Sequence, residues 1–176
     1  EYDIAQIKEL ITNYGPIDLV FFDAFESGPL VQYVHSIAPN ILVTRGEMET
    51  PEQKIPDGPM PGTWETCMTM GTQWQYKPTN EAYKDGTELI EKLIEVRAKG
   101  GNLLLNVGPK PNGEIPIEQE ELLRELSLWM FVNEEGIKNI RPLPTLVKDG
   151  YLWFTQYEDE NAVYAFVTKQ KDWFKG

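Results

Sequence analysis

Apolar residues recur along this chain with two alternating periods. Ile4, Ile7, Leu10 and Ile11 lie at helical spacing and predict an amphipathic helix ending at Asn13-Tyr14-Gly15-Pro16. The next run, Ile17-Asp18-Leu19-Val20-Phe21-Phe22-Asp23, is nearly all apolar, as expected of a strand covered on both faces, and closes on a carboxylate. A short helix from about Pro29 to Ile37 leads to a second strand, Ile41-Leu42-Val43-Thr44. Arg45 to Gly62 is rich in Pro, Gly and acids and predicts a long loop, a length that in compact domains usually marks function or disorder. Thr63-Trp64-Glu65-Thr66-Cys67 predicts a third strand, followed by a loop through Trp74 and Tyr76.

The second half is more regular. A helix is predicted over Thr87–Lys99, with Leu89, Ile90, Leu93, Ile94 and Val96 inward and Gly100-Gly101 as its stop. A strand over Asn102–Val107 follows. Beyond Gly108–Gly113, Pro116 opens a helix with Leu122, Leu123, Leu126, Trp129 and Met130 on its buried side. After Arg141-Pro142-Leu143-Pro144 the period changes to that of strands. Tyr151–Thr155 and Ala162–Val167, separated by the polar turn Glu158-Asp159-Glu160-Asn161, predict a hairpin.

Alternating helices and apolar strands imply an α/β fold with a parallel sheet and right-handed crossovers. Three or four strands are too few to close a barrel. The pattern fits half of a (β/α)8, TIM-type barrel over residues 1–142, with residues 143–176 opening a separate β domain. The chain starts without Met and stops at Asp172-Trp173-Phe174-Lys175-Gly176, which reads as an internal fragment of a longer protein.

Composition narrows the partners. The 176 residues carry a formal charge of −12, which argues against nucleic acid and anionic membrane as partners. Most acids are expected simply to solvate helix faces. Cys67 is the single cysteine and has no internal disulfide partner. His35, the only histidine, stands in a helical stretch without neighbouring ligands, so it reads as a packing or surface residue. No stretch is apolar enough to span a membrane.

The loops after the predicted strands collect Asp23, Glu26, Arg45, Glu47, Glu49, Glu52, Trp64, Glu65, Trp74 and Tyr76. Carboxylates at carboxyl ends of barrel strands, with aromatics and no metal-ligand cluster, suit sugar chemistry. One carboxylate attacks or stabilises the anomeric carbon while a second protonates the leaving oxygen. Aromatic rings cover the C–H face of a sugar, and arginine donates paired hydrogen bonds to hydroxyls. The plainer alternatives stay open: Asp23 as the cap of a turn, Trp64 and Trp74 as core aromatics, Glu65 as a support for Arg45, Cys67 as a buried inert thiol.

The residues also resemble a family. Tyr14-Gly15-Pro16-Ile17-Asp18-Leu19-Val20-Phe21-Phe22-Asp23 looks like the nucleophile strand of α-L-fucosidases, glycoside hydrolase family 29. Thr50-Pro51-Glu52-Gln53, Trp64-Glu65-Thr66-Cys67 and Trp74-Gln75-Tyr76 follow in the family's order. Gly100-Gly101-Asn102-Leu103-Leu104-Leu105-Asn106-Val107-Gly108-Pro109, with Asn112-Gly113 and Ile115-Pro116, is the most specific match.

The resemblance implies a (β/α)8-like barrel followed by a β-sandwich. It also implies retaining hydrolysis of terminal α-L-fucosyl linkages through a covalent glycosyl-enzyme, without a cofactor. By position, Asp23 matches the nucleophile and Arg45 an arginine that contacts fucose. Glu52 matches the acid/base of some members, with Glu65 its leading rival and Glu49 behind. Trp64 and Trp74 are the candidate substrate-binding aromatics, Trp74 on the sugar's methyl-bearing side. The implied substrate is a fucosylated oligosaccharide or glycoconjugate, and the implied location extracellular or periplasmic.

Departures from the family pattern are Ala24 and Phe25 after the nucleophile, Gln75 between Trp74 and Tyr76, and Asn133-Glu134-Glu135-Gly136. The family's N-terminal half-barrel and its histidines lie outside this sequence. These departures leave room for a carbohydrate-binding protein that keeps the fold without hydrolysis, or for a glycosidase acting on another sugar.

Overall fold

The computed structural model describes residues 2–23, 28–45, 47–145, 147–159 and 161–168. Ala24, Phe25, Glu26, Glu160 and the terminal Asp172–Gly176 lie outside them. The chain divides into two compact units, residues 1–50 with 62–64, and residues 51–61 with 65–176.

The first unit is a βαβ arrangement preceded by a helix. Helix α1 (Tyr2–Asn13) leads to β1 (Leu19–Phe21), and α2 (Gly28–Ile37) carries the chain to β2 (Leu42–Thr44). The two strands pair in parallel with Leu19 opposite Leu42 and Phe21 opposite Thr44. The hydrogen bonding extends a residue either way, Leu42 N–H to the Asp18 carbonyl and Phe22 N–H to that of Thr44. β1 is shorter than the apolar run Ile17–Asp23, because only the stretch matched by the equally short β2 finds a partner. Ile7, Phe22, Val31, Val34, Ile41 and Val43 form the core of this unit. Of the stripe expected on α1, Ile7 alone is fully buried; Ile4 and Leu10 face outward.

The second unit repeats the motif. β3 (Glu65–Thr69) and β4 (Asn102–Asn106) pair in parallel, with Glu65 opposite Asn102 and Thr69 opposite Asn106. The helix between them, α3 (Gly86–Ala98), is capped by Asp85, whose carboxylate accepts the Glu88 N–H at 2.7 Å. It ends where Gly100 takes φ +83°, letting Gly101 N–H reach back to the Val96 carbonyl. Leu89, Leu93, Ile94 and Val96 are buried as the periodicity requires. β3 begins two residues later than expected and runs on through Met68 and Thr69, which are buried.

Helix α4 (Ile117–Val132) and the short α5 (Glu134–Ile137) precede an antiparallel sheet. In it β7 (Leu152–Tyr157) pairs with β8 (Val163–Val167) along its length, so the hairpin is present. On its other partners, β5 (Ile140–Arg141) meets the carboxyl end of β7 and β6 (Lys148–Asp149) the amino end. Leu93, Ile94, Ala98, Leu126, Ile137 and Trp153 form the core here.

Among the described residues the parallel strands stand as two separate pairs, where one continuous parallel sheet was expected. The polar, proline-bearing segment after β2 makes only single bridges, such as Met48 with Thr44 and Glu52 with Cys67.

Candidate active site

In the first unit, parallel pairing sets the carboxyl ends of β1 and β2 side by side. The chain leaves β1 through Phe22 to Asp23 and leaves β2 directly at Arg45, so both side chains emerge at one end. Arg45 Nη1 donates to Asp23 Oδ1 at 2.5 Å. Arg45 lies at φ +54°, a left-handed conformation unfavourable for a side chain of its size. Its guanidinium also rests over the Phe21 ring, 5.2 Å from the centroid. The Asp23 side chain is 81% exposed, so its carboxylate is oriented by Arg45 and open to solvent. Neighbouring residues take other partners. His35 Nε2 and Glu47 Oε2 are 2.8 Å apart, and Glu49 is exposed.

Trp64 is 0% exposed, the enclosure expected of a core aromatic, which was the plainer of its two sequence readings.

In the second unit, Glu52 is exposed on a segment held from several sides. Cys67 N–H donates to the Pro51 carbonyl at 3.2 Å and Gln53 N–H to the Cys67 carbonyl at 2.9 Å. The Gln53 amide exchanges hydrogen bonds with Thr69, donating to its Oγ1 at 3.0 Å and accepting from its N–H at 3.3 Å. Further on, Thr66 Oγ1 donates to the Lys54 carbonyl and the buried Lys99 ammonium to that of Pro56, 2.6 Å away. Cys67 is buried, with its Sγ directed at the Pro51 carbonyl 4.0 Å away.

Glu65 is partly buried at the first residue of β3, and its Oε1 is buried without a hydrogen bond. Burial pushes its carboxyl above the usual carboxylate range. A raised carboxyl suits a proton donor, but parallel α/β sheets gather their ligand-binding groups at the opposite, carboxyl ends of the strands. Glu65 is four residues from Thr69, ~13 Å along an extended strand.

Trp74 lies past the carboxyl end of β3, half-buried. Its carbonyl accepts the Asn106 amide at 2.7 Å from the last residue of β4. Gly108 allows the backbone to come close, since a Cβ there would sit 2.8 Å from Gln75 C and Tyr76 N. Gly108 N–H is held in turn by the buried Gln119 of α4, at 2.9 Å.

Gly100-Gly101-Asn102 reads in the sequence as a helix stop and a tight entry to a strand, whereas the Asn106 and Gly108 that follow clamp the Trp74 loop. Lys99 and Gln53 carried no signal of their roles, because nothing in a lone lysine or glutamine reveals its partners.

The α-L-fucosidase family model matches residues 1–135. An α-L-fucosidase of Dictyostelium discoideum is 36% identical over 111 residues, which cover 62% of this chain and 24% of that protein. The plasma α-L-fucosidase of Rattus norvegicus is 36% identical over 117 residues, covering 62% and 25%. Among solved structures, α-L-fucosidase isoenzyme 1 from Paenibacillus thiaminolyticus superposes with a TM-score of 0.85 at 31% identity, over 94% of this chain and 46% of that one. The Thermotoga maritima α-fucosidase, solved with a mechanism-based inhibitor, gives 0.75 at 27% identity, covering 93% and 41%. The chain therefore spans about a quarter of the length of the curated relatives it matches. With most of its residues matched by the family model, the chain belongs to the α-L-fucosidase family.

Proposed function

We propose that the full-length protein carrying this chain is a retaining α-L-fucosidase acting on terminal fucose of oligosaccharides or glycoconjugates. The observation that carries the reading is the Asp23–Arg45 pair at the carboxyl ends of two parallel strands, an exposed carboxylate oriented by a half-buried guanidinium. Family membership and the inhibitor-bound relative from Thermotoga maritima support it.

In this reading Asp23 attacks the anomeric carbon as the glycosidic C–O bond breaks, and the leaving oxygen takes a proton from an acid. That residue then removes a proton from water, which displaces Asp23 from the glycosyl-enzyme. Glu52 is the preferred acid/base, because the segment bearing it is anchored toward the middle and carboxyl end of β3. Glu65 is the alternative, favoured by the burial that raises its carboxyl pKa and disfavoured by its place at the strand's amino end. Arg45 positions Asp23 and donates to the sugar, and Trp74 covers the methyl-bearing side. No group in this scheme is a cofactor.

The architecture we propose is the C-terminal half of a (β/α)8-like barrel over residues 1–142, followed by the first strands of a β-sandwich over 143–176. Among the described residues no helix is long and apolar enough to cross a membrane. The names of the plasma relatives support export to an extracellular or periplasmic compartment.

The test is the full-length Asp23→Gly variant with an aryl α-L-fucoside. Turnover is expected to vanish and to return with azide, yielding a β-L-fucosyl azide. Absence of rescue, where the unaltered protein hydrolyses the same compound, removes Asp23 from the nucleophile's role.

A further inference from the structure

The residue after Glu52 has a strained backbone and is tied down by its own side chain. Gln53 lies at φ +55°, in the left-handed region, where a Cβ crowds the following carbonyl and glycine or asparagine fits at less cost. A backbone held there needs surroundings that fix it, and the Gln53 amide supplies them. Its Nε2 donates to Thr69 Oγ1 at 3.0 Å, and its Oε1 accepts the Thr69 N–H at 3.3 Å. Both bonds end on a residue that is itself held. Thr69 closes β3 at its carboxyl end and is 2% exposed. Its hydroxyl donates to the Gly71 carbonyl at 2.6 Å, and its carbonyl accepts from Lys84 Nζ at 2.7 Å.

This clamp bears directly on Glu52. The bonds from Cys67 N–H to the Pro51 carbonyl and from Gln53 N–H to the Cys67 carbonyl set Glu52 beside Cys67 as a single bridged residue. A lone bridge fixes the peptide groups on either side but has no ladder to hold its register. The Gln53 amide supplies that register, because it reaches beyond Cys67 to Thr69, at the end of the strand. On the far side of the turn the Lys54 carbonyl is held by Thr66 Oγ1 at 2.7 Å. A glutamate side chain has several torsions, and where its carboxyl can reach is decided first by where Cα and Cβ are fixed. We propose that Gln53 is a positioning residue, whose amide bonds to Thr69 hold the Glu52 backbone so that the Glu52 carboxyl meets the leaving oxygen. The proposal rests on the reading of Glu52 as acid/base given above.

Two leaving groups test it in the full-length protein. Phenolate departs poorly from a phenyl α-L-fucoside without a proton, whereas dinitrophenolate needs none, so only the first substrate reports on the acid. Glu52→Ala supplies the pattern of a missing acid. Gln53→Ala breaks the clamp and keeps the strain; Gln53→Gly breaks the clamp and relieves the strain. Both Gln53 variants are expected to lose at least about tenfold in kcat/KM on the phenyl substrate, since a reacting group misplaced by ~1 Å can cost about a hundredfold. Both should stay within about twofold on the dinitrophenyl substrate. Gln53→Gly should nonetheless melt at a higher temperature than Gln53→Ala, which separates stability from positioning. Equal losses on the two substrates, unchanged turnover of the phenyl substrate, or full recovery of activity in Gln53→Gly would overturn the proposal. Equal losses in Glu52→Ala would remove Glu52 as the acid, and the role of Gln53 with it. An unaltered protein that hydrolyses neither fucoside would instead defeat the hydrolase reading on which both depend.

Discussion

At the scale of single residues, environment separates carboxylates that sequence alone could not rank. Asp23, Glu52 and Glu65 all stood as acids near strand ends, yet the first is held by a guanidinium, the second is exposed and the third is partly buried. Because burial raises the Glu65 carboxyl, the folded state holds that proton more tightly than the unfolded chain does. Its contribution to stability is present in acid and is lost as pH rises from the ordinary carboxylate value through the raised one. Glu65→Gln removes the cost of burying the charge. Its melting temperature should exceed that of the unaltered protein at pH 7, with the gain fading below about pH 4, where both side chains are neutral. Calorimetry across pH checks the sign. In the same variant, retained hydrolysis of an aryl α-L-fucoside would leave Glu52 as acid/base, and lost hydrolysis with an intact fold would transfer the role to Glu65.

Elements were legible where a local pattern governs them. The helix α3 needs only its apolar stripe, the Asp85 cap and the Gly100-Gly101 stop, all of which are local to it. The hairpin of β7 and β8 similarly follows from alternation and a polar turn. Other features depend on distant partners and were hidden. The short β1, the outward Leu10 and the buried Trp64 are each decided by what lies across from them. The clamps on the two loops are of this kind. Gly108→Ala would set a Cβ against the Gln75–Tyr76 backbone, 2.8 Å away. It should destabilise the protein by about 1–3 kcal/mol in denaturant unfolding and raise KM by displacing Trp74. Lys99→Met would remove the ammonium that holds the Pro56 carbonyl and pairs with Glu95 at 2.5 Å. A loss of about 1.5–3 kcal/mol is expected, from the usual worth of hydrogen bonds to charged groups. An unchanged unfolding midpoint would show that neither contact carries stability.

For the molecule as a whole, charge is the quantity that composition settles by itself. A formal charge of −12 is self-repelling, and that repulsion is weakened when salt shortens the Debye length from about 30 Å at 0.01 M to about 8 Å at 0.15 M. The melting temperature of the chain should therefore rise over that range; a fall would mean that attractive pairs such as Arg45–Asp23 outweigh the net repulsion. Family membership was also readable, because short motifs such as Gly101–Pro109 survive as strings of residues. The sequence by itself determined the helices and strands whose periodicity and stops are local, the charge, and the identity of the acids available for chemistry. Tertiary structure decided which acid meets Arg45, which tryptophan is enclosed, which end of β3 holds Glu65, and that Asn106 and Gly108 grip the Trp74 loop. Those outcomes depend on parallel pairing and close packing between segments tens of residues apart, and neither leaves a periodic trace in the chain.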